Sequence, residues 1–520
     1  MLRAMGPAAG LVAAVLLWEL AGRAPGLEWL IAGPVEVVAW IAERPGLVLR
    51  ALGVTLWAAA LGFAIGNAVA VGLAGMALLL PRAERLIGAL ALVVFCLPLV
   101  ATGPLLRVLY GPGPGPQVTI AALAVYYTTF LPLMVGLRAA PAAWFDLVRS
   151  YGRGRMAELL RIRLRAALPY LVAGLQIAAP AAFLGAMVGE FTGAERGMGV
   201  LTIRAMRALD VAGLWALAAV ASAVSILAYL ALGALGRRVA GAPADLLLAA
   251  PVVPDAAAGW RRAAATLARL ALTVVVVLVL WHGLMEAFGL NRFFAKRPGD
   301  VWAWAFEAPG AAANRAMIAG AWAQTMVLTL PGYLAGLALG AGLAAAIVLL
   351  PGLGATIMPV AIALRSVPIV TTAPLIVLAL GRGAAGTIAI VAVMVFFPTL
   401  VACLSGLSRT PGQVQDVFAS YSATRWTRLR HAQFPAMLPA FFASARMAVP
   451  AAVLAATTAE WLATGIGMGG LMATVASTSA YNALWASVAV MALTASLGYA
   501  CVERVERVVL RVYGPEQLAR

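Results

Sequence analysis

Lysine, histidine and cysteine are almost missing from this 520-residue chain. Lys296 is the only lysine, the histidines are His282 and His431, and the cysteines are Cys96, Cys403 and Cys501. Each scarcity excludes something. An ATP-hydrolysing P-loop needs a lysine in the setting G-x-x-x-x-G-K-[ST] to reach the phosphates. Lys296 stands between Ala295 and Arg297, so no such loop is possible. The histidines are isolated from any carboxylate pair, which leaves no acid–base constellation. The cysteines fall in or at the ends of apolar stretches without ligand-like spacing and read as small core residues. The sequence therefore predicts no enzyme, no metal site and no cofactor held by this chain.

Charge is scarce as well. Charged residues make up 11% of the chain and hydrophobic ones 63%, with a mean hydropathy of +0.97. Soluble domains run closer to a quarter charged, so the composition is that of a membrane protein. Leu52–Leu80 and Trp322–Leu350 carry no charged residue, and each exceeds the ~20 residues that cross a bilayer. Further candidate spans in the first half are Ala8–Leu20, Ile87–Tyr110, Gln117–Leu137, Pro169–Gly189 and Ala212–Leu235. The second half offers Thr266–Phe288, Gly354–Leu380, Thr387–Leu407, Leu438–Ala459 and Tyr481–Val502. The expected fold is all-α and polytopic, with about twelve transmembrane helices. Met1–Leu20 has the pattern of a signal peptide, but its counterpart Thr266–Phe288 lies mid-chain, and both are read as retained spans.

The net charge of +17 is carried by arginine. Nucleic-acid binding would need those arginines on one soluble face. They gather instead between spans, at Arg82 and Arg85, Arg149–Arg165, Arg237–Arg269 and Arg425–Arg430. Placing all four clusters in the cytoplasm satisfies the positive-inside rule and puts both termini there.

The chain is also written twice. Asp146 recurs as Asp416, Pro169 as Pro439, Glu190 as Glu460 and Trp215 as Trp485, always 270 residues on. The offset is constant from Thr55/Thr325 to Tyr229/Tyr499. Upstream it falls to 264, with Pro34 and Trp40 matching Pro298 and Trp304, which locates the extra residues near Pro309–Ala321. The domains expected are 1–238 and 263–520, joined by a cytoplasmic linker at 239–262 whose Ala/Pro/Asp-rich middle suits a short connection. An even number of spans per half leaves both copies facing the same way. Whatever the first presents to the cytoplasm, the second presents too.

The largest such element is Pro141–Pro169 and its copy Pro411–Pro439. Each reads as a short helix opened by a proline, with Pro169 or Pro439 where the next helix begins. The segment resembles the "EAA" loop of ABC importer permeases: an acidic residue, two small residues, a glycine six positions after the acid, then Leu-Pro. In the first copy Asp146 takes the acidic place, Tyr151 precedes Gly152 at the glycine, and Ile162 and Leu164 take the later apolar places, with Arg165 replacing the proline. In the second, Asp416 is acidic, Tyr421 precedes Ser422 at the glycine position, and Phe434-Pro435 replaces Leu-Pro. Neither copy keeps the two small residues. The resemblance implies a coupling helix docked on a cytoplasmic ATPase, with the small residue allowing close approach.

After the fifth span come GEFTGAERGMGVL (Gly189–Leu201) and AEWLATGIGMGGL (Ala459–Leu471). An acid followed by Gly-Met-Gly resembles the sulfonate, taurine, nitrate and thiamine-precursor branch of these permeases. Glu190 and Glu460 are expected at the outer edge of their spans, facing water. There they would serve as interfacial anchors or as part of an outer gate, with Gly197/Gly199 and Gly467/Gly469 permitting a tight bend. Arg365 lies inside the apolar segment Gly354–Leu380, ahead of Pro368 and Pro374. It marks either a pathway or a side chain that snorkels to the cytoplasmic face; Phe95 holds its place in the first half. Gly62–Gly66 and Gly332–Gly336–Gly340 have the spacing of close helix crossings.

The resemblance implies a fused ABC importer permease of the bacterial inner membrane, working by alternating access. It would be served by two copies of a separate ATPase, which holds ATP and Mg, and by an extracytoplasmic solute-binding protein. Sulfonates, nitrate and flat vitamin precursors all fit as substrate. The rival reading is an ion-coupled secondary transporter of two parallel six-span halves. It would not explain the paired Asp146/Asp416 loops. An intramembrane enzyme would need a constellation the chain does not have.

Overall fold

Long apolar runs without internal turn signals form long helices. The computed structural model describes residues 12, 15–26, 30–111, 113–191, 193–240, 259–350, 354, 373, 376, 379–381, 383–408 and 410–513. In the first half α1 (Pro34–Glu43) leads into α2 (Pro45–Leu79), followed by α3 (Glu84–Phe95), α4 (Leu99–Tyr110), α5 (Gly115–Gly136), α6 (Ala142–Ser150), α7 (Leu164–Glu190), α8 (Met198–Arg207) and α9 (Val211–Ala240). The second half has α10 (Gly259–Ala287), α11 (Ala311–Leu349), α12 (Ala384–Ser408), α13 (Gly412–Ser420), α14 (Phe434–Ala459), α15 (Gly467–Ser477) and α16 (Tyr481–Tyr513). Its counterpart of α1 is a short helix, Pro298–Trp302, continued by a π turn, Ala303–Glu307.

Among the described residues nine helices are long and apolar enough to cross a membrane. Three expected spans account for the remainder. Ile87–Tyr110 is broken at Cys96–Pro98 into α3 and α4, because Pro98 cannot donate the hydrogen bond a continuous helix needs. Gly354–Leu380 lies largely outside the described residues, as does most of the expected linker, and Ala8–Leu20 is described at 12 and 15–20 only. The six extra residues of the second copy are also located. α11 has 39 residues where α2 has 35, and three residues (308–310) rather than one (Arg44) precede it.

Each half is built on three crossing helices: α2, α5 and α7 in the first, α11, α12 and α14 in the second. Glycine allows the close approach. A Cβ on Gly332 would meet the Ile388 carbonyl at 2.8 Å, one on Gly336 the Ala392 carbonyl at 2.7 Å, and one on Gly66 the Ala122 carbonyl at 2.6 Å. The small-residue spacings are therefore helix crossings. The halves meet through α3 and α4, which pack on α14, α15 and α16. One apolar cluster joins Val100, Ile120 and Val188 to Tyr333, Ala448 and Ala452. Another joins Cys96 and Leu105 to Val453, Met468 and Leu484. Only 6% of the apolar window of α10 is buried, so this helix turns nearly its whole circumference to lipid. Cys96 and Cys403 are buried, while Cys501 is exposed on α16 and is not a core residue.

Candidate functional site

Both loops that carry the acidic motif form the expected short helix. α6 and α13 each begin after a proline, and each ends in a tight turn. Gly152 sits there at φ +65° and Ser422 at φ +50°. A Cβ on Gly152 would meet nothing within 4 Å. Within this chain the small residue answers the left-handed turn, since only glycine enters that region without cost. Pro169 and Pro439 do not begin the next helix. Both lie inside helices that start at Leu164 and Phe434, and π turns (Leu159–Arg163, Leu429–Gln433) join these to short helices at Arg155–Glu158 and Arg425–Arg428. The motif loop thus runs into the fifth span as one nearly continuous rod.

Asp146 and Asp416 are both exposed. Ile162 is buried, as is Ala432 at the matching place, while Leu164 and Phe434 are exposed and Pro435 is half-buried. A set of exposed apolar side chains also recurs: Trp144, Leu147, Tyr151 and Met156 in the first loop, Val414, Val417, Tyr421 and Trp426 in the second. These match one for one on the 270-residue grid. Tyr151 is 76% and Tyr421 82% exposed. The loops differ in bracing. In the first, Arg149 Nε donates to Glu158 Oε1 at 2.8 Å, which raises the arginine's pKa. In the second, Ala419 and Arg428 hold those places, and Thr424 instead caps the short helix by accepting from Thr427 N at 3.2 Å. Arg163 ties the first loop to the Leu137 carbonyl, and Arg425 ties the second to the Leu349 carbonyl, both at 3.2 Å.

At the opposite end of the fifth span the structure corrects the expectation. Glu190 and Glu460 do not face water; they are 2% and 0% exposed. Thr55 Oγ1 donates to Glu190 Oε1 at 2.6 Å, Gly199 N donates to Oε2 at 2.6 Å, and Met198 N donates to Thr55 Oγ1 at 2.9 Å. The second copy repeats this. Thr325 Oγ1 and Gly469 N donate to Glu460 Oε2 at 2.8 and 2.9 Å, and Met468 N donates to Thr325 at 2.8 Å. A helix N-terminus offers unpaired N–H groups to an anion, and here the anion comes from the preceding span. Gly197 has φ +136° and Gly467 φ +68°. A Cβ at Gly199 would stand 2.6 Å from the Met187 carbonyl. Acid and Gly-Met-Gly are one latch that ties α8 or α15 to the ends of two spans. Its third member, Thr55 or Thr325, escaped the sequence reading, although both stand on the repeat grid.

Two further features were also missed. Arg446 lies inside α14 at 6% exposure and pairs with Glu506 of α16, itself 2% exposed, at 3.1 Å. Gln176 and Gly236 hold those places in the first half. In addition, each half has a tryptophan clasp around the loop that precedes α1 or its counterpart. Trp18 and Trp215 donate to the carbonyls of Ala32 and Leu30, both at 3.0 Å. Trp281 and Trp485 donate to those of Lys296 and Phe294, at 3.0 and 2.8 Å. Paired tryptophans at equivalent places were the available signal. Arg365 and Pro368 lie outside the described residues.

A multi-pass, all-α protein of two like-facing copies, each presenting a short helix with exposed apolar side chains, has the form of a membrane permease. The chain belongs to the family described as "Binding-protein-dependent transport system inner membrane component", whose sequence model matches it twice, over residues 66–241 and 317–511. It is similar to a probable ABC transporter permease protein of Haemophilus influenzae, 29% identical over 38% of this chain and 81% of the relative. It is also similar to a formylaminopyrimidine transport permease protein of Halalkalibacterium halodurans, at 27% over 41% of this chain and 86% of the relative. A putative aliphatic sulfonates transport permease protein of Escherichia coli is 25% identical over 38% of this chain and 76% of the relative. No solved structure matches the chain. The protein is thus a multi-pass inner-membrane permease, a family that works in general with an ATPase and a binding protein.

Proposed function

We propose that this chain is both membrane domains of an ABC importer in one polypeptide, the first at 1–238 and the second at 263–520, with 239–262 as a cytoplasmic linker. Each relative covers about two fifths of this chain and most of its own length, which supports the reading of each half as one permease. Both termini and both loops face the cytoplasm. Two copies of a separate ATPase, carrying the ATP and Mg, seat on α6 and α13, and an extracytoplasmic binding protein delivers the solute. Closure of the ATPases draws the two loops together and rocks the halves about their interface, giving alternating access. The relatives' substrates point to an anionic sulfonate or a heteroaromatic vitamin precursor.

The observation that carries this reading is the repeated set of exposed apolar side chains. Four matched apolar residues facing water on one end of the molecule are costly unless a partner covers them. Two such sets call for two partners or a two-fold partner. Uptake into proteoliposomes tests the reading. Transport should require the ATPase, the binding protein and ATP; transport by the chain alone on a proton or sodium gradient would sink it.

A further inference from the structure

The two copies diverge most in chemistry around the tryptophan that follows the clasped loop. In the first half Trp40 Nε1 donates to Asp210 Oδ2 at 2.9 Å, and Trp40, Val211 and Ala212 pack with Ala32 in an apolar cluster. The matching residues of the second half are Trp304, Ala480, Lys296, Tyr481 and Asn482. Alanine in place of Asp210 removes the acceptor, so the indole N–H of Trp304 has none among the described residues. The three apolar positions have become an ammonium, a phenol and an amide. The second half has adjoining cavities of about 510 and 440 Å³ that share Lys296, Trp304 and Asn482. That volume lies in the ordinary range of small-molecule sites.

The charges in this place are specific. Arg292 is engaged by Asp300 at 3.0 Å, and the Arg297 N–H also donates to that carboxylate. Burial pushes the Asp300 pKa up, but these hydrogen bonds outweigh it and hold it below the usual value. Lys296 and Glu307 form no ion pair among the described residues, although both line the larger cavity. Asn482 Oδ1 is buried with no hydrogen-bond partner. The walls therefore offer an ammonium and a carboxylate outside any ion pair, with the Lys296 charge also acting on Asp300, an unused indole N–H and aromatic faces from Trp304 and Tyr481. A buried acceptor left without a partner is costly, and a cationic group in the cavity would satisfy Asn482 Oδ1. The cavity sits at the N-terminal end of α11, since Asn314 and Met317 line it. Arg425 of the second loop binds the other end, at Leu349.

We propose that this cavity, at the end of the second half away from the docking loops, binds a small zwitterion. Its oxyanion lies against Lys296 and Trp304 Nε1, and its ammonium lies toward Glu307, Asn482 Oδ1 and the face of Trp304. The chemistry is shared by a phospholipid headgroup and a free solute of the phosphocholine type. It goes beyond the importer reading and holds or fails separately from it.

Because Lys296 is the only lysine, an amine-acylating reagent read by peptide mapping reports on this cavity alone. The full chain is placed in phosphatidylglycerol nanodiscs, and acylation of Lys296 is timed with phosphocholine, inorganic phosphate or choline, and separately in phosphatidylcholine nanodiscs with nothing added. Phosphocholine or the phosphatidylcholine bilayer should slow acylation several-fold, and Asn482→Ala or Glu307→Gln should remove that protection. Protection by the bilayer alone assigns a lipid headgroup, and protection by the soluble compound alone assigns a free solute. Unchanged rates in every arm would overturn the proposal. So would protection by inorganic phosphate equal to that by phosphocholine.

Discussion

Ser422 occupies at φ +50° the turn that Gly152 occupies at φ +65°. A side chain in that region costs on the order of 1 kcal/mol. Gly152→Ala should therefore lower the stability of its loop by about 1 kcal/mol, whereas Ser422→Gly should leave the second loop unharmed or firmer by about half that. Proteolytic nicking of the two loops, followed by mass spectrometry, checks both directions. The latch makes a stronger demand. Thr55→Val keeps the shape of the side chain but leaves the Met198 N–H without its acceptor and Glu190 Oε1 without its donor. A loss of about 1–3 kcal/mol is expected, seen as a lower melting temperature of the detergent-solubilised chain, with Thr325→Val behaving alike. An unchanged melt in both would remove the latch from the account. Glu190 and Glu460 were legible in the sequence, but their burial was not. That depends on a hydroxyl 135 residues away, and such a distance leaves no local pattern.

Helix against helix, the Arg446–Glu506 pair is the most consequential charge among the described residues within the spans. Removing one partner strands the other in an apolar surround and costs about 3–5 kcal/mol, whereas replacing both with apolar residues is often neutral. Arg446→Met should therefore destabilise the protein markedly, and Arg446→Met with Glu506→Leu should recover most of the loss. Thermal unfolding of the single and double variants decides the matter; a double variant as unstable as the single would refute it. The proposed docking role of α6 and α13 makes a second prediction at this scale. The first is braced by Arg149–Glu158 and the second is not, so alanine at Trp144, Leu147 and Tyr151 should reduce ATPase stimulation by a different amount from alanine at Val414, Val417 and Tyr421. Equal losses would contradict it. Sequence periodicity showed both helices and the prolines that open them. It misplaced the start of the next helix, because Pro169 and Pro439 read as helix openers while the π turns upstream let the helix begin earlier.

Over the whole molecule the duplication was the most legible feature, since a constant 270-residue register survives any drift in composition. The interface between the halves was not legible. It is made by α3 and α4, a stretch that reads as one apolar span and is broken at Pro98, and apolar side chains give no sign of which partner they will meet. The cavity beside Trp304 shows how the copies have drifted, while the tryptophan clasps of both halves and the frame held. If one chain supplies the whole membrane part and both proposed docking surfaces, the subunit count follows. Native mass spectrometry of the complex purified through this chain should find one copy of the chain with two ATPase subunits. Two copies of the chain in the complex, or a chain that retains no ATPase, would rule this arrangement out.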